Sequence, residues 1–68
     1  MKTSVRNHLN GTVKEIIRGN AMCEVDIDTP AGIISAVITT RSLDEMKLKV
    51  GDQVTAAMKA TSVFVEKT

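Results

Sequence analysis

The 68-residue sequence predicts a mainly β domain, and three observations carry that expectation. Val, Ile and Thr make up 22 of the residues, and branched side chains suit a pleated, half-buried surface. The stretch from Ala21 to Asp28 alternates strictly. Ala21, Cys23, Val25 and Ile27 share one face and Met22, Glu24, Asp26 and Asp28 the other, as in a strand with one wet side. Two clusters of turn residues, Arg18-Gly19-Asn20 and Thr29-Pro30-Ala31-Gly32, separate the apolar stretches where the chain must reverse.

A first extended stretch runs from Thr3 to Arg18, with Gly11 as a bend or bulge inside it. After the Gly19-Asn20 turn comes the alternating strand, and after Pro30 a third strand from Ile33 to Thr40. This one is apolar on both faces, with Ile34, Ala36 and Ile38 opposite Ile33, Ser35 and Val37, which predicts a central or interface strand. Ser42-Leu43-Asp44-Glu45 has the spacing of a capping box and predicts a short helix, capped by Ser42 and running to about Lys47. Val50-Gly51-Asp52 opens a fourth strand, Gln53 to Lys59. Ala60-Thr61-Ser62 makes a corner before a fifth, Val63 to Glu66. Five strands with one short helix between the third and fourth is the order of an OB-like Greek-key barrel. No repeat, low-complexity tract or linker interrupts it, so residues 1–68 read as one module.

Composition excludes several function classes. Nine Lys and Arg against eight Asp and Glu give a net charge of +1, too balanced for the basic footprint of a nucleic-acid binder. Phe64 is the only aromatic residue and the second strand holds Glu24, Asp26 and Asp28, so a nucleic-acid-binding OB module, which wants aromatics on its second and third strands and a basic groove, stands only as an alternative reading. The N-terminal MKTSVRNHLN is polar and the apolar runs are short, so neither a membrane span nor a secretory signal is expected; with its lone Cys23 the chain reads as cytoplasmic. His8 stands alone and Cys23 lies on an apolar strand face. Neither a catalytic triad nor a metal-ligand set is therefore expected, and the chain does not read as an enzyme. A core this small, with neither disulfide nor structural metal within reach, also predicts partner subunits.

Three segments are rich in hydrogen-bond donors and free of carboxylates: Ser4-Val5-Arg6-Asn7, Thr39-Thr40-Arg41-Ser42 and Lys59-Ala60-Thr61-Ser62. A deprotonated oxyanion accepts hydrogen bonds and donates none, so its site needs hydroxyls, amides, backbone N–H groups and one or two cations. The same residues also fit ordinary strand ends, with Ser42 as a cap, Arg6 and Lys59 as solvated charges and Thr61-Ser62 as a turn. Composition alone does not choose between the two.

The order of motifs adds a resemblance that covers essentially the whole chain. Ser4, Arg6, Asn7, Leu9 and Gly11 fit S-x-R-N-x-L-x-G. Ile38, Thr39 and Ser42 fit I-T-x-x-S, and Gly51, Asp52, Val54, Thr55, Ala56, Lys59, Ala60 and Thr61 fit G-D-x-V-T-A-x-x-K-A-T. In this the sequence resembles the molbindins, small molybdenum-pterin-binding proteins made of a single Mop domain. The resemblance implies an OB-like barrel whose subunits exchange strand contacts, assembled as a homohexamer, a trimer of dimers. It implies cytoplasmic storage or buffering of molybdate or tungstate, bound as the oxyanion at subunit interfaces with no direct protein ligand to the metal. Carried over by position, Ser4, Arg6, Asn7, Lys59, Ala60 and Thr61 would contact the anion, and Thr39 and Ser42 would reach in from a neighbouring subunit. Gly19 and Asn20 are candidates for a secondary site. His8 stands where the family more often has Gln. The same domain occurs fused to transporter ATPases and to a DNA-binding regulator, so an oxyanion-sensing regulatory subunit is the alternative role. A bound pterin is not expected, because its ring would want an aromatic neighbour or a wide polar cleft.

Overall fold

The structure, a computed structural model, describes residues 2–68. Its elements are β1 (Asn7–Arg18), β2 (Met22–Thr29), β3 (Gly32–Thr39), α1 (Thr40–Glu45) and β4 (Gln53–Met58), followed by a single 3₁₀ turn at Ala60–Ser62. The strands form one antiparallel sheet in the order β3-β2-β1-β4. Two hairpins followed by a return that lays β4 beside β1 is Greek-key connectivity.

The long β1 serves both halves of the sheet. Its residues Asn7 to Thr12 pair with β4, and Thr12 to Arg18 pair with β2. Gly11 sits where the partners change, and a Cβ there would lie 2.6 Å from the Asp28 carbonyl oxygen and 2.7 Å from Ile27 Cγ2. The residue is glycine because β2 crosses so closely, not because the ladder bulges there. The register shift lies further on, between Val13 and Glu15. It lets Val13 and Ile16 both face inward, while the Val13 backbone bonds Gly51 N–H and the Asp52 carbonyl, each at 2.9 Å.

The alternation holds from Met22 onward, while Ala21, expected on the apolar face, lies outside β2 and is exposed. Cys23, Val25 and Ile27 are buried and join Val13, Leu43 and Ala56 in the core, while Asp28 is exposed and Glu24 and Asp26 are half-buried. β3 is not central: it is an edge strand, and its outer residues Ile33 and Val37 are 52% and 65% exposed.

Two further expectations about elements need correcting. The helix begins three residues earlier than the capping-box spacing suggested, because Thr39, the last residue of β3, is already extended and its Oγ1 accepts from Ser42 N–H at 3.0 Å. Glu45 instead pairs with Arg41 one turn back, at 3.1 Å. The helix closes with Leu48 N–H on the Leu43 carbonyl and Lys47 N–H on that of Asp44, a Schellman ending that puts Lys47 at a φ of 52°. The second correction is the fifth strand. The described residues form four, and Val63, Phe64 and Val65 run on unpaired, 48%, 86% and 94% exposed. A strand needs a ladder partner, and this segment lies against no sheet edge of its own chain. The sheet therefore curls without closing. Between β3 and β4 it leaves an apolar cleft of about 280 Å³, lined by residues including Val25, Ile27, Ala36, Ile38, Val54 and Ala56. No helix among the described residues is long and apolar enough to cross a membrane.

Candidate functional site

The donor-rich segments gather at two places, the two ends of β1. At its start, Asn7 pairs with Met58 and its side-chain amide donates to the Met58 carbonyl at 3.2 Å. One residue further out on each strand, Arg6 and Lys59 follow from that register, and the 3₁₀ turn carrying Ala60 and Thr61 continues from Lys59. Ser4 is exposed in a bend just before. Arg6, Asn7, His8, Leu9, Met58 and Val63 line an open cleft of about 400 Å³ at this end. The ion pairs among the described residues take Arg18, Arg41 and Lys49, so Arg6 and Lys59 keep no carboxylate partner.

The other end of β1 collects Gly19, Asn20, Thr39 and Ser42. Arg18 pairs with Cys23 and Met22 with Thr39, which brings the β1–β2 turn beside the start of α1. Thr40 ties the two together. It is buried, its N–H donates to the Ala21 carbonyl at 2.9 Å, its hydroxyl donates to the Gly19 carbonyl at 2.8 Å, and Cys23 Sγ lies 3.1 Å from its Oγ1. Arg18 adds a bidentate pair with Asp44, both bonds 2.9 Å. That contact holds the Asp44 carboxyl below its usual range, chiefly through the hydrogen bonds from Arg18.

At this end the cations are already spent, because Arg18 is held by Asp44 and Arg41 by Glu45. What remains is neutral donor chemistry. Thr39 Oγ1 accepts from Ser42 N–H and donates to Ser42 Oγ at 2.9 Å, so the Ser42 hydroxyl keeps its own proton for another acceptor. Ser42 is thus not the helix cap, and the two uses of its hydroxyl do not compete.

Within one chain the two ends stand apart. The 12 residues of β1 would span roughly 36 Å if straight. One end carries free positive charge, the other carries hydroxyl and turn-backbone donors, and neither encloses a small anion by itself. Among the described residues no three His, Cys, Asp or Glu side chains gather to hold a metal ion. The outer face of β1 and β2 carries Glu15, Glu24 and Asp26. The Glu24 carboxyl is pushed above its usual range, first by its hydrogen bond with Asp26 and then by the charge of Asp26.

Residues 3–65 match the TOBE domain model. The chain belongs to the TOBE-domain family. It is 39% identical over 66 residues to a probable molybdenum-pterin-binding protein of Haemophilus influenzae, covering 96% of each. Its TOBE fold matches that of a molybdate binding protein from Sporomusa ovata with a TM-score of 0.94 at 43% identity, over 98% of this chain and 100% of that one. A second structural match is the cytoplasmic molybdate-binding protein ModG in a form with molybdate bound, with a TM-score of 0.83 and 36% identity. It covers 88% of this chain and 43% of the other, so this TOBE domain spans less than half of that protein. The motif resemblance and these relatives agree.

Two residues of this TOBE domain escaped the sequence reading. Thr40 was grouped with the donors of its segment, yet it is an internal tie. Continuing the inward series Ile34, Ala36, Ile38 by one more step would have placed it on the buried face. His8, which stands alone in the sequence and departs from the family pattern, lines the same cleft as Arg6.

Proposed function

We propose that this TOBE domain binds molybdate or tungstate as the intact oxyanion, without catalysis, at sites shared between copies of itself, and so stores or buffers it in the cytoplasm. The observation that carries the reading is the division of labour along β1. Arg6 and Lys59 are unpaired cations at one end, while Thr39 and Ser42 are neutral donors at the other, beside Gly19 and Asn20, the candidates for a secondary site. A dianion needs both kinds of group. Apposing one chain's cationic end with another chain's hydroxyl end would supply them together, with Ser4, Asn7, Ala60 and Thr61 completing the cationic side. Each hydrogen bond to the charged ligand would contribute about 1.5–3 kcal/mol net.

Assembly has independent support. The apolar cleft between β3 and β4 lacks a strand, and Val63-Phe64-Val65 is an extended apolar segment lacking a sheet. Exchange of that segment between two subunits would bury both, and three such pairs would make the hexamer. Anion binding across the interfaces would then stabilise the oligomer by linkage.

The test is isothermal titration with molybdate and tungstate, sulfate and phosphate serving as controls, and light scattering on the same sample. Saturable molybdate binding by a hexamer is expected. No heat of binding, from a monomer or dimer, would overturn the reading.

A further inference from the structure

We propose that His8 is a third cationic donor of the anion cleft and makes oxyanion affinity depend on pH, tightening it as the pH falls. The inference rests on the oxyanion reading above and adds to it a residue and a form of regulation.

The geometry comes first. His8 lies on β1 two residues beyond Arg6 and pairs with Ala57, next to the Asn7–Met58 pair that leads out to Lys59. His8 and its partner Ala57 face one side of the sheet, and Arg6 and Lys59 continue the two strands outward. The cleft at this end is lined by Arg6, Asn7, His8, Leu9, Met58 and Val63, with no carboxylate among them. The charged group that lines the cleft with His8 is Arg6, just before β1, and Lys59 follows Met58 just after β4; Ala57, Met58 and Val63 carry no charge. His8 makes no hydrogen bond or ion pair within the chain among those of the described residues, and it is exposed, so both ring nitrogens are free for a ligand.

The chemistry follows from the side chain. Histidine is the residue whose charge ordinarily changes between about pH 5 and 8. Neutral, it offers one N–H and one acceptor nitrogen, and the acceptor is useless to a fully deprotonated oxyanion. Protonated, it offers two N–H donors and a positive charge. A dianion in the cleft thus favours the imidazolium, and by linkage anion binding takes up protons wherever the free protein's His8 is partly neutral. The sign is fixed: affinity rises as pH falls. A single extra charge several ångströms from a dianion in a solvent-filled cleft changes affinity by about three- to tenfold.

The experiment is titration of molybdate into the full chain at about pH 6 and about pH 8, where histidine changes charge, in two buffers of different ionisation enthalpy, for the native protein, His8→Gln and His8→Lys. The native protein is expected to bind about three- to tenfold more tightly at the lower pH and to take up a fraction of a proton per anion in between. His8→Gln should lose both the pH ratio and the proton uptake. His8→Lys should be flat at the tighter level, which a merely structural role for His8 would not produce. If the native protein binds with no pH dependence, or if His8→Gln keeps the native ratio, the role of His8 is overturned and the oxyanion reading stands. If no variant binds at either pH, the oxyanion reading fails and this proposal with it.

Discussion

The side-chain amide of Asn7 donates to the backbone carbonyl of Met58 at 3.2 Å, across 51 positions of sequence, and so locks the start of β1 to the end of β4. Arg6 precedes the first of these residues and Lys59 follows the second. The two free cations of the molecule's cationic end thus flank a cross-strand hydrogen bond that neither of them makes.

Replacing either cation should therefore act on binding and spare the fold. Arg6→Ala and Lys59→Ala each remove a charge-assisted donor worth about 1.5–3 kcal/mol, which predicts molybdate affinity lower by about 10- to 100-fold in calorimetry. Both side chains are exposed and unpaired, so the melting temperature of the anion-free protein should hardly move. Asn7→Ala should lower both, with a stability loss of about 0.5–1.5 kcal/mol.

Phe64 is 86% exposed in the single chain and projects from a segment that has no strand partner. If the segment seats in a neighbour's apolar cleft, Phe64→Asp puts a charge into that contact. The expected outcome is a smaller particle in light scattering at the same protein concentration. An unchanged mass would remove the segment from the interface.

Thr40→Val keeps the shape but removes the hydroxyl that joins Gly19 to Cys23. A loss of about 1–2 kcal/mol is expected. For a domain of this size that is a melting temperature lower by roughly 4–15 °C. The same substitution loosens the turn carrying Gly19 and Asn20 from the helix start, so molybdate affinity should fall as well.

Acid should act on the fold through groups of opposite sign. Asp44 is held below the usual carboxylate range by Arg18, and Asp52 by its hydrogen bond from Lys49. Each contributes stability that is present above the unfolded aspartate pKa of 3.8 and is lost as the pH falls through the lower folded value. Glu24 is raised by Asp26, so the folded state takes up its proton first, and stability declines as the pH rises from 4.5 through the raised value. Thermal melts between about pH 3 and pH 7 should then show Asp44→Asn losing part of the acid sensitivity. Glu24→Gln should be more stable than the native chain at neutral pH and no more stable at low pH.

The strands that face both solvent and core were legible residue by residue. In β2 the alternation that buries Cys23, Val25 and Ile27 is local, because successive side chains leave a strand on opposite sides whatever lies beyond. The donor segments were legible too, since oxyanion chemistry shows in residue type. The helix cap was misplaced because Ser42 and Glu45 satisfy the capping pattern by spacing, yet Thr39 was already extended at the end of a paired strand and reached the same N–H first. Gly11 announced a special position without saying which, and only the crossing of β2 shows that the constraint is the Asp28 backbone.

Sequence by itself determined the mainly β character, the polar clusters and the family, because period, propensity and motif order are properties of neighbours along the chain. Tertiary structure decided that Arg6 and Lys59 flank the paired Asn7 and Met58 while Thr39 and Ser42 lie at the far end of β1, that Thr40 is a tie and not a free donor, and that the last segment finds no edge to join. Those outcomes depend on register and sheet order, and these are set by which distant surfaces bury each other best. No spacing within a single segment encodes that choice.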